Sequence, residues 1–120
     1  MENEKKILIA LRALGVPPHI RGYQYIVWCV GKALEQPNTM NALCKEMYGD
    51  LGKQLGIPSA RVERCIRTAV AYVFDRPHTK QLNRLFNGPL SMNTGMPTNK
   101  QFIATVADYI KSEPEEFWLN

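Results

Sequence analysis

The segment "GDLGKQLGIPSARVERCIRTAV", residues 49–70, compresses two helical patterns around Gly56, Ile57 and Pro58 and then spaces Arg61, Arg64 and Arg67 three residues apart. Val62, Ile66, Ala69 and Val73 step by 4, 3 and 4, which predicts an amphipathic helix from Ser59 to about Asp75, started by Ser59 and stopped by Pro77. At about 100° per residue this stripe leaves Arg64, Arg67, Thr68 and Ala71 on the opposite side, with Arg61 flanking them. Two helices joined by a short turn that includes glycine form a helix-turn-helix, whose second helix enters the DNA major groove. Gly52 is small enough to let the helices approach, and Gly56 can take the left-handed turn conformation that other residues resist. Pro58 lacks the donor that a helix start would leave unused, and Leu51, Leu55, Ile57, Val62 and Ile66 are expected to pack between the two helices.

Working outward, the rest of the chain also carries helical spacing. Ile7, Leu8, Leu11 and Leu14 predict a helix over residues 3–14, closed at Gly15 by a left-handed cap. "VPPHIRG" follows as a rigid loop, because its prolines fix the backbone and remove donors. A second helix is expected from about Tyr23 to Glu35, with Ile26, Val27, Val30 and Leu34 on one face. Thr39 is placed as the cap of a third, short helix through Met40, Leu43, Cys44 and Met47, with Gly49 interrupting it before Leu51 and Leu55. Residues 79–86 read as a short helix with Leu82, Leu85 and Phe86 inward. "NGPLSMNTGMP" reads as a turn-rich loop, and Thr98 or Asn99 caps a last helix carrying Phe102, Ile103, Val106, Ala107 and Ile110. No segment sustains strand alternation, so the expected fold is all-α, a compact bundle of about six helices containing the helix-turn-helix.

Composition bounds the possibilities. With 120 residues, 45% hydrophobic and 22% charged, the chain suits one domain with its own core. Its apolar runs are far shorter than the roughly 18 residues of a membrane span, and its start lacks a secretory signal, so a cytoplasmic protein without membrane attachment is expected. Cys29, Cys44 and Cys65 are odd in number and widely spaced within apolar patterns, which reads as reduced core thiols. His19 and His78 stand apart from them, so neither a metal site nor a cofactor is implied. Paired-carboxylate spacing, a Gly-rich phosphate loop and a nucleophile with a nearby histidine are all missing, which argues against an enzyme. The net charge is +4, but Glu113, Glu115 and Glu116 lie in the last eight residues; residues 1–112 hold 15 basic and 8 acidic groups, a charge of +7 that favours a polyanion.

On the arginine-bearing helix, Arg64 lies nearly opposite the apolar stripe, the direction a base-reading side chain must take, and its fork matches the two major-groove acceptors of guanine. Glu63 can accept from a cytosine amino group or orient a neighbouring arginine. Lys53, Arg67 and the helix start at Ser59 are placed for phosphates. Tyr23, Tyr25 and Trp28 read as core rather than as a stacking platform. His19 and Arg21 suit either a phosphate contact or a loop that locks two helices.

Three blocks, "LGVPPHIRGYQYI" at 14–26, "YGDLGKQLGIPSARVERCIRTAV" at 48–70 and "MPTNKQFIATVADYI" at 96–110, together resemble the effector-domain family of stage-zero sporulation protein A, the sporulation response regulators of endospore-forming Firmicutes. "LF" at 85–86 and "SM" at 91–92 fall in register between them. The resemblance implies a six-helix effector that binds a short box of double-stranded DNA, as tandem dimers, and regulates transcription through RNA polymerase. Its recognition motif falls on Arg61, Glu63, Arg64 and Arg67. The family's serine before the first arginine is Ala60 here, and its histidine after the third is Thr68, which can still contact a base edge or a thymine methyl. Base reading is therefore expected from Arg61, Glu63, Arg64 and Thr68, and phosphate contact from Lys53, Ser59 and Arg67. Residues 76–88 match the family's segment for the polymerase sigma subunit, with Lys80 and Arg84 as its exposed charges. The family's receiver domain has no room in these 120 residues, so a single effector-like domain is expected, whether excised or stand-alone. If stand-alone, it would form a homodimer through its own surface. The competing reading is an interaction module or antagonist that keeps the fold without binding DNA.

Overall fold

The computed structural model describes residues 2–36, 40–86 and 95–119, with the backbone alone for residues 40–44. Within them the chain forms six α-helices: α1 (Asn3–Leu14), α2 (Arg21–Glu35), α3 (Met40–Leu55), α4 (Ser59–Phe74), α5 (Lys80–Phe86) and α6 (Asn99–Ser112). A 3₁₀ turn over Glu115–Leu119 follows, and no strand occurs among the described residues. The expected cap at Thr39, the side chains of Met40, Leu43 and Cys44, and the loop over 87–94 lie outside the described residues.

The central element is α2, which packs against α1, α3, α4 and α6. Its apolar positions Ile26, Cys29, Val30 and Ala33 are almost fully buried, beside Leu11 and Leu14 of α1 and Phe102, Ile103 and Val106 of α6. α2 begins two residues earlier than the spacing suggested, which draws Gly22 into the helix. The reason is a close crossing with α4. A methyl carbon at Gly22 would overlap the Cys65 carbonyl oxygen and lie 2.9 Å from Ala69 Cβ. Tyr23 and Tyr25 are buried as core residues, while Trp28 is half-buried with the Lys32 ammonium 5.3 Å from its ring centre.

The stripe on α4 behaves as its spacing requires: Val62, Ile66, Ala69 and Val73 are buried. α4 begins at Ser59 as expected, with Pro58 in the N-cap position in extended backbone (φ −65°, ψ 148°). α3 runs unbroken through Gly49, contrary to the expected interruption, since a glycine inside a helix costs only about 1 kcal/mol and the packing of Met47, Tyr48 and Leu51 outweighs it. Of the thiols, Cys29 is buried and Cys65 half-buried.

The C-terminal acidic stretch is part of the fold, which the sequence reading did not anticipate. Trp118 is 2% exposed and meets Tyr109 edge-on, with ring centres 5.3 Å apart. Lys6 of α1 pairs with Glu115 at 2.7 Å. That hydrogen bond is the main cause that lowers the Glu115 carboxyl from 4.5 to about 2.

Two outcomes follow from this packing. Gly22→Ala forces α2 and α4 apart and is expected to destabilise the chain by about 1–3 kcal/mol in urea unfolding, as overpacked interiors do. Because the folded-state pKa of Glu115 is depressed, its contribution is complete above pH 4.5 and fades as pH falls from 4.5 toward about 2. Tryptophan fluorescence should therefore report loosening around Trp118 in that window, and Glu115→Gln should show the loosened signal already at neutral pH.

Candidate nucleic-acid interface

The turn between α3 and α4 is fixed by backbone chemistry. Gly56 adopts φ 72°, the left-handed conformation expected of it, and the Ile57 amide donates to the Gly52 carbonyl at 2.9 Å. This six-to-one bond closes α3 as a Schellman turn. The Pro58 carbonyl then accepts from the amides of Arg61 and Val62 at 3.0 and 3.3 Å, so only residues 56–58 separate the two helices. Gly52 is where the two segments meet: a methyl carbon there would lie 2.6 Å from the Ile57 carbonyl oxygen. Leu51, Val62 and Ile66 are buried between the helices and Ile57 is half-buried. Leu55 departs from expectation at 47% exposed, because the chain reverses at Gly56 before α4 can cover the last turn of α3.

With its apolar side held by α2, α3 and α6, α4 turns Arg61, Glu63, Arg64, Arg67 and Thr68 to the surface. Lys53 on α3 and Ser59 at the start of α4 are also exposed. No side chain caps α4. The Glu63 carboxylate has no ion-pair partner among the described residues, so it neutralises none of the arginines in this state.

Arg67 is more constrained than its spacing suggested. One of its guanidinium nitrogens donates to the Pro97 carbonyl at 2.7 Å, tying α4 to the segment that leads into α6. A second tie lies beside it, where Asn99 Nδ2 donates to the Glu63 carbonyl at 2.9 Å. Thr98 caps α6 through a capping box, its hydroxyl accepting from the Gln101 amide while the Gln101 side chain accepts from the Thr98 amide. Between these elements runs a groove lined by Lys45 and Tyr48 of α3, Glu63, Arg64 and Arg67 of α4, and the first turn of α6.

The match to known families agrees with this geometry. The family described as the sporulation initiation factor Spo0A C-terminal domain matches residues 7–110, nearly the whole chain. The chain belongs to that family. It is a family of DNA-binding sporulation regulators rather than of enzymes.

Lys80 and Arg84, the charges expected to face the polymerase sigma subunit, lie elsewhere, on α5. Lys80 is exposed, whereas Arg84 pairs with Glu113 at 3.1 Å and lies 6.0 Å from the Tyr109 ring centre. Lys45, Asn99 and Lys100 were missed by the sequence reading. Lys45 and Lys100 belong to other helices, and periodicity within α4 carries no signal for them. Asn99 registered only as a possible cap.

Gly52→Ala is expected to push the Ile57 carbonyl away and tilt α4, destabilising the fold by about 1–3 kcal/mol. Thermal unfolding checks it: a melting temperature equal to the parent's would show that the hinge tolerates the added carbon.

Proposed function

We propose that this chain is a sequence-specific DNA-binding domain of a transcriptional regulator, with α4 placed in the major groove. The observation that carries this reading is the arginine-rich outer face of α4, left uncovered by the rest of the described chain behind a hinge closed by Gly52 and Gly56. Arg64 reads guanine through its two parallel donors, flanked by Arg61, Glu63 and Thr68 at neighbouring base edges. Lys53, Ser59 and the donors of Arg67 that Pro97 leaves unused hold phosphates and set the register of the helix. Family membership supports DNA as the partner, and the charge of residues 1–112 supports a polyanion.

In this reading the domain works in the cytoplasm and pairs with a second copy on DNA. It meets the polymerase sigma subunit through α5, where Lys80 is the freer charge and Arg84 must release Glu113 to take part. No helix among the described residues is long and apolar enough to cross a membrane.

Sites selected from a random duplex pool supply the specific sequence for the test. Arg64→Ala should weaken binding to that sequence by about 1–3 kcal/mol and relax preference at one base pair, while Lys53→Ala should weaken specific and random duplexes alike. Equal losses on both duplexes for Arg64→Ala would remove the base-reading assignment.

A further inference from the structure

The groove between α3, α4 and the start of α6 carries basic groups beyond those of the base-reading face. It gathers Lys45, Arg64, Arg67 and Lys100 around a single carboxylate, Glu63, with Tyr48 as an apolar wall. Like charges gather at such a spot at an electrostatic cost that a bound anion would relieve. The helix start adds its own donors. Thr98 Oγ1 already accepts from Gln101, which leaves its proton to give, and the amides of Asn99 and Lys100 have no acceptor among the described residues. Unclaimed amides at the positive end of a helix dipole suit a phosphate.

A second, independent feature lies in the same groove. Asn99 is only 8% exposed, and its Nδ2 is committed to the Glu63 carbonyl, yet its Oδ1 is buried with no partner. A buried acceptor left unmet costs about 1–3 kcal/mol. A water bridging Oδ1 to a phosphate oxygen would donate one proton to each, so a hydrated phosphate satisfies the groove and the amide oxygen together.

We infer that this groove is a clamp for a DNA backbone phosphate. Lys100, Lys45 and the first turn of α6 grip a strand that borders the major groove read by α4. This rests on the DNA-binding reading above and extends it to a helix outside the helix-turn-helix. The two ties between α6 and α4, Arg67 to Pro97 and Asn99 to Glu63, fix the clamp relative to Arg64. A phosphate seated there adds affinity and orients the domain on the duplex without reading sequence itself.

The test measures duplex affinity against salt, from about 50 to 300 mM, for the full chain and for Lys100→Ala, Lys100→Arg and Lys111→Ala. Removing one phosphate contact lowers the salt slope by about 1 and weakens binding roughly five- to tenfold near 0.1 M salt, equally on specific and random duplexes. Lys100→Arg should restore the slope. Lys111→Ala, at the far end of α6, should change neither quantity. Scanning single methylphosphonates along the specific duplex should find one position whose neutral linkage abolishes the effect of Lys100→Ala. An unchanged slope for Lys100→Ala, while the parent still binds DNA, would overturn the clamp and leave the α4 reading standing. A Lys100 effect that no methylphosphonate position absorbs would likewise overturn it. A parent chain that binds no duplex at low salt would remove both proposals.

Discussion

The α2–α4 crossing at Gly22 is the constraint on which the rest of the structure depends. The Cys65 carbonyl and Ala69 approach so closely that no side-chain carbon fits at that position. Helices usually pack with axes about 8–10 Å apart, and the close limit is reached only where small residues meet. This contact seats α4 deep against the central helix and buries Val62, Ile66, Ala69 and Val70 completely. A helix buried that thoroughly on one side has only one orientation available to the other, so the position of the arginines is a consequence of packing rather than of their own interactions. The hinge at Gly52 and Gly56 then sets the direction from which α4 leaves α3.

Across the fold, charged groups take structural as well as binding roles. Arg67 gives one donor to Pro97 and keeps the rest, so it is part brace and part ligand. Arg84 pairs with Glu113 across α5 and the end of α6, and Lys6 holds Glu115 at the C-terminal turn. Exposed pairs of this kind add little net stability, so their value lies in orientation more than in stability. By contrast the α4 face that carries Arg61, Glu63, Arg64 and Thr68 stays open to solvent. Regular packing elsewhere in the domain leaves that face available for recognition.

Much of this was legible in the sequence because it depends on local periodicity. The stripe from Val62 to Val73 announced α4, Gly15 and Gly56 announced their left-handed caps, and Thr98 announced the start of α6. What escaped depends on contacts between segments distant along the chain. Gly22 looked like part of a loop because nothing local reveals that α4 crosses it. The Glu115–Leu119 turn looked like an acidic tail because the partners of Trp118 and Lys6 lie far from it in sequence. Leu55 fitted the apolar pattern yet lies in solvent, since pattern cannot say where a partner helix stops. Lys45 and Lys100 sit 55 residues apart and meet only in the folded groove.

The central claim is that DNA meets the domain on the outer face of α4, flanked by Lys53 and the first turn of α6, and not on α1 or α2. Backbone amide NMR titrated with the selected duplex tests it most directly. The account predicts that the largest shifts fall on residues 59–68, with smaller ones at Lys53 and the first turn of α6, and that α1 and the exposed side of α2 stay unperturbed. Shifts concentrated on α1 and α2, with α4 silent, would contradict it.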